Sequence, residues 1–115
     1  MESSSEHRWS LQAAREIFAD VRQRTESAVK EVDELVGERE ACEAGSPAIA
    51  KVEDRIRDRV GAWARAMDAL GLEVKGVWLV DFDNGSGYYC WKWPEPELAH
   101  FHGYDEGFEG RVRIQ

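Results

Sequence analysis

Cys90, Glu95, Glu97, His100 and His102 lie close together in a stretch that also carries Tyr88, Tyr89, Trp91, Trp93, Phe101, Tyr104 and Phe108. Imidazole, thiol and carboxylate groups ligate metals and move protons, and aromatic bodies with polar tips build either a core or a pocket. His100-Phe101-His102 on a strand places both imidazoles on one face. A three-residue corner at Pro94-Glu95-Pro96, pairing Trp93 with Glu97, sets Cys90 across from His100 and Tyr88 across from His102. Cys90, His100 and His102 then converge as nitrogen and sulfur ligands of the kind zinc takes, with a fourth from Asp105, Glu106 or Glu109. A four-residue corner would shift the register and remove Cys90 from the cluster. The competing reading has both histidines hydrogen-bonded to backbone or carboxylates and Cys90 as a small buried hydrophobe.

Glu95 and Glu97 flank Pro96 at a turn, where two carboxylates read as solvated rather than as a general acid/base pair. Arg111 has the planar fork to pin the tail through Glu95, Glu97 or Asp105. Tyr89, Trp91 and Trp93 alternate onto one strand face. With Phe101 they offer a surface for a planar ligand, a sugar or a partner, or else they pack on helices through Trp63 and Met67. The chain shows no Ser/His/Asp order, glycine-rich phosphate loop or Cys-x-x-Cys pair.

Two helices must position these residues. Leu11, Ala14, Phe18, Val21, Thr25, Ala28, Val32 and Leu35 recur at spacings of three and four, with Ser10 as N-cap and Trp9 at the staple position before it. The helix is expected to run through Gly37 to about Cys42. Gly45-Ser46-Pro47 ends one helix and starts another, whose seam is Ile49, Val52, Ile56, Val60, Trp63, Met67 and Leu70. Gly71 and Leu72 suit a Schellman cap. Beyond it the period falls to two, predicting strands at Val74–Phe82, Tyr88–Trp93 and Glu97–His102, with Asp83 to Gly87 as a hairpin loop. The expected fold is α+β: a long antiparallel helical hairpin over 10–71, then a three-stranded antiparallel meander and a C-terminal loop over 72–115, forming one domain after a disordered tail at 1–8.

The 15 basic and 23 acidic side chains give a net charge of -8 with no basic stripe, which argues against nucleic acid. No apolar stretch approaches the roughly 20 residues of a membrane span. Two unpaired-looking cysteines, Cys42 and Cys90, without a secretory leader, fit a reducing cytoplasm. Helices of roughly 24 to 32 residues span about 36 to 48 Å, whereas a six-residue strand covers about 20 Å. The sheet is therefore too short to cover the hairpin, and two hairpins are expected to pair as a homodimer.

Over most of its length, and most strongly in its C-terminal part, the chain resembles the prokaryotic family catalogued as domain of unknown function 2203. The resemblance rests on Val80-Asp81-Phe82, Cys90-Trp91, Pro94-Glu95-Pro96-Glu97, Phe101-His102 and Gly107-Phe108-Glu109-Gly110-Arg111. Pro94 stands where the family pattern has glycine, and Phe101 where it has tryptophan. Trp9-Ser10-Leu11 extends the likeness to the first helix, without the acidic capping-box residue. The resemblance implies a fold and no activity. Three functional expectations follow from the residues: a non-enzymatic, self-associating cytoplasmic interaction protein with an unidentified partner; a small zinc-type hydrolytic enzyme centred on His100 and His102; and a small-ligand binder using the aromatic sheet face.

Overall fold

The structure, a computed structural model, describes residues 8–115. Of the tail expected at 1–8, all but Arg8 lies outside the described residues. The Ser10 Oγ accepts from the Ala13 amide at 3.0 Å and starts α1 (Leu11–Ala41), an unbroken helix through Gly37. Trp9 joins the core beside Ala14, its amide donates to the Asp83 carbonyl at 2.7 Å, and its indole donates to the Gly71 carbonyl at 3.2 Å. Ser46 caps α2 (Pro47–Ala69) with Pro47 in its first turn. At its end Gly71, at φ 94°, places its amide on Asp68 and the Leu72 amide on Met67, the two bonds of a Schellman cap.

α1 and α2 run antiparallel: Thr25 meets Trp63, Glu31 meets Arg59, Glu38 meets Arg55, and Arg39 meets Glu53. Thr25 is buried in this seam. Its hydroxyl donates to the Val21 carbonyl and accepts from the Trp63 indole, both at 2.8 Å.

The sheet has five strands, not three. β1 (Glu73–Gly76), β2 (Leu79–Asp83), β3 (Tyr88–Lys92), β4 (His100–His102) and β5 (Val112–Arg113) form an antiparallel meander in chain order. The strand expected over Val74–Phe82 is a hairpin, because the chain reverses at Val77-Trp78 with Trp78 at φ 63°. That conformation is strained for a bulky residue. The Trp78 ring packs edge-on to Trp63 at 4.9 Å, and its carbonyl accepts from the Trp93 amide at 3.0 Å. The segment expected to be a loop after Gly103 contains a 3-10 turn at Phe108–Gly110 and then β5.

β3 and β4 pair in the expected register, Cys90 with His100 and Tyr88 with His102. Beyond Cys90 the ladder stops and the two strands part. Trp93 bonds to Trp78 instead of pairing with Glu97, so the corner runs well past Pro94–Pro96. Val80, Phe82 and Trp91 face the helices and are fully buried, with Phe18 edge-on to Trp91 at 5.3 Å. Arg22 lies over the Trp93 ring at 4.8 Å. None of the described helices is long and apolar enough to cross a membrane.

Candidate functional site

Alternation along β2, β3 and β4 sends Val80, Phe82, Tyr89, Trp91 and Phe101 toward the helices, and Asp81, Tyr88, Cys90, His100 and His102 to the opposite face. The Asp81–Cys90–His100 row lies beside the Tyr88–His102 pair. From β4 the His102 ring reaches across β3, so that its Nε2 lies 2.9 Å from Asp81 Oδ2. An outward sheet face would ordinarily be wet, yet both side chains here are at most 3 % exposed.

The C-terminal segment closes this face. Arg111 grips Glu95 with two parallel bonds of 3.1 and 2.7 Å, and lies 4.1 Å over the Phe108 ring. The Tyr104 hydroxyl donates to Asp83 at 2.7 Å, and Glu106 accepts from the Gly103 amide at 2.7 Å. Beneath this strap lies a cavity of about 270 Å³. Asp81, Cys90 and His102 line it, together with Lys75, Leu79, Tyr88, Tyr104 and Phe108.

Hydrogen bonding fixes the imidazole's state. His102 Nδ1 lies 2.8 Å from the Gly103 carbonyl, which can only accept, so Nδ1 carries a proton. Nε2 then faces Asp81 Oδ2 at 2.9 Å. Burial pushes the Asp81 carboxyl up, against the opposing pull of Cys90 and His102. Burial, and then the charge of Asp81, pushes the Cys90 thiol up to about 12. Asp81 Oδ1 is buried and makes no hydrogen bond. Both imidazole nitrogens are engaged and the thiol stays protonated, so the trio is not an activated cysteine nucleophile.

The candidate ligands do not all converge. Cys90 and His102 come together with Asp81, and one ligand atom from each lies within 4.8 Å of the others. His100 stands outside that group, paired with Arg113 on β5 and close enough to Glu95 to help hold that carboxyl down. Asp105, Glu106 and Glu109 are exposed and lie outside it too. Glu95 is taken by Arg111 while Glu97 is exposed, so the two carboxylates do not work as a pair. Trp91 is fully buried and its indole donates to the Glu95 carbonyl at 2.7 Å. Tyr89 and Trp93 pack on the core, and Tyr89 meets Phe101 at 6.4 Å, which makes this face an interior.

Asp81 is the site residue that the sequence reading passed over. The available signal was its place in Val80-Asp81-Phe82, a carboxylate opposite Cys90 in the very register that the loop at Asp83 to Gly87 sets.

A family model described as an uncharacterized conserved protein (DUF2203) matches residues 7–114. No curated protein and no solved structure matches the chain.

Proposed function

The chain belongs to the DUF2203 family, and from that premise we propose that it is a self-associating interaction protein whose helical arm pairs with a second copy of itself. The observation that carries this reading is how little of the hairpin the sheet covers. Trp93 reaches Arg22 on α1 and Trp78 reaches Trp63 on α2. Farther out, the ion pairs Arg59–Glu31, Arg55–Glu38 and Arg39–Glu53 join helix to helix.

The outer arm keeps the apolar face that the sheet covers nearer in. At about 100° per residue, Val29, Val32 and Val36 continue the side of α1 that carries Phe18. Ile49, Ile56 and Val60 continue the side of α2 that carries Met67. In antiparallel helices these two stripes fall on one side of the hairpin. All six residues are half-buried, and each such side chain is worth roughly 1.5 to 3 kcal/mol between exposure and full burial. A second arm laid across the stripe completes a four-helix arrangement.

Sedimentation equilibrium of the wild-type chain and a Val32→Glu/Ile56→Glu variant tests the reading. The expected result is a concentration-dependent wild-type dimer and a monomeric variant with unchanged helical circular dichroism. A wild-type monomer at every concentration refutes it.

A further inference from the structure

Asp81, Cys90 and His102 are all buried, and they bring a carboxylate oxygen, a sulfur and an imidazole nitrogen within 4.8 Å of one another. A tetrahedral ion with bonds of about 2.0 Å to nitrogen and oxygen and about 2.3 Å to sulfur spaces its ligands about 3.3 to 3.6 Å apart. His102 Nε2 and Asp81 Oδ2, at 2.9 Å, are already closer than that, and the widest separation in the trio, at most 4.8 Å, has to close by roughly 1.2 to 1.5 Å.

Two independent features point the same way. Asp81 meets His102 through Oδ2, but its Oδ1 is buried with no hydrogen bond among the described residues, which leaves that oxygen open to a cation. His102 donates from Nδ1 to the Gly103 carbonyl at 2.8 Å, so only Nε2 can ligate. A backbone carbonyl on the far nitrogen is the usual device for fixing the tautomer and orientation of a metal-bound histidine.

We propose that Asp81, Cys90 and His102 Nε2 hold one divalent transition-metal ion of the zinc type, with its fourth position opening into the cavity beneath the C-terminal strap. The thiolate and carboxylate offset the charge of the ion, and a mixed sulfur and imidazole set favours zinc over magnesium or calcium. Coordination sends the thiol proton to solvent. The tail acids stand outside the cluster, so the fourth ligand is water or a small anion. Lys75 in the cavity wall is already paired with Glu73 at 3.1 Å, and Leu79, Tyr88 and Phe108 limit the size of the fourth ligand. His100 takes no part, and the site forms within one chain whether or not two chains pair.

The test is titration of chelator-stripped, untagged full-length protein with cobalt(II), followed by competition with zinc(II). The expected result is one ion per chain with thiolate-to-cobalt charge-transfer absorption that zinc abolishes. Cys90→Ser loses that absorption, Asp81→Asn binds at least tenfold more weakly, and His100→Ala binds as wild type does. If a ligand variant fails to fold, X-ray absorption of the wild-type zinc protein decides: one sulfur and one imidazole neighbour support the site. No thiolate absorption in the wild type, or a zinc shell without sulfur, overturns it. So does loss of binding in a folded His100→Ala variant.

Discussion

Replacing Thr25 by valine keeps the shape of the seam and removes one oxygen. That hydroxyl accepts from the Trp63 indole N–H at 2.8 Å, and both residues are buried, so no water can replace it. An orphaned buried donor costs about 1 to 3 kcal/mol, whereas the Val21 carbonyl that also loses its bond from Thr25 keeps its helical amide partner. The expected destabilisation is about 2 kcal/mol. At an unfolding entropy of about 2.1 cal/mol/K per residue, 2 kcal/mol lowers the Tm of a 115-residue chain by about 8 °C. Thr25→Ser keeps the acceptor and loses only the methyl group, for about 1 kcal/mol. Urea and thermal unfolding followed by circular dichroism, at one protein concentration because pairing would couple to stability, give the comparison. In a Trp63→Phe background the donor is already gone, so Thr25→Val should cost little there. Equal costs in the two backgrounds would falsify the claim that this bond, rather than the shape of residue 25, secures the seam between α1 and α2.

Three other perturbations probe the site's supports. Gly87→Ala puts a Cβ 2.6 Å from the His102 carbonyl and 2.9 Å from the Phe101 ring, so β3 and β4 must separate. A loss above about 2 kcal/mol in urea midpoint analysis is expected, and a neutral result would show that the pairing is loose. Glu95→Gln breaks the fork to Arg111 while the pair is a quarter or less exposed; a cost of about 2 kcal/mol, discounted for that exposure, and faster proteolysis within 103–111 are expected. The same pair predicts a pH dependence. Burial pushes the Glu95 carboxyl up, but Arg111 and the Lys92 amide outweigh it and hold it below the usual carboxylate range. Its stabilisation is therefore complete above the unfolded value near ~4.3 and is lost as pH falls through the lower folded value. The wild-type advantage over Glu95→Gln, measured by urea unfolding, should persist at neutral pH and vanish in acid.

How much of this was legible in the sequence follows from how local each signal is. Ser10, the Ser46-Pro47 pair and Gly71 act within one helical turn, and each lies where the helix start or stop requires it. The register of β3 on β4 matches the one inferred from a three-residue corner, although the corner is longer and Trp93 leaves the ladder for Trp78; two-residue alternation gave the faces. The reversal at Trp78 was not, because Val77, Trp78 and Leu79 are strong strand formers. The contacts that hold Trp78 at positive φ, its ring on Trp63 and its carbonyl on the Trp93 amide, come from residues distant in sequence. The aromatic face could be assigned to core or ligand only once Phe18 was seen against Trp91.

The chemistry was hidden for a related reason. Alternation puts Asp81 opposite the core, and on a sheet with one face on helices the other face is normally solvated, so an aspartate there reads as exposed even where the register sets it opposite Cys90. Its burial is imposed from the far end of the chain, where the Arg111 fork on Glu95 and the Tyr104 bond to Asp83 draw the last segment over the strands. His-x-His is visible at a glance but splits in three dimensions. His102 leans across Cys90 to Asp81, while His100 stays outside that group, with its Nδ1 buried and without a hydrogen bond among the described residues. Cutting the strap should therefore act on Asp81 and His102 more than on the helices. In Arg111→Met, the imidazole of His102 should gain hydrogen exchange by NMR while α1 and α2 keep their protection. Equal loosening of strap and helices would mean that the outer face is held by the global fold and not by the tail.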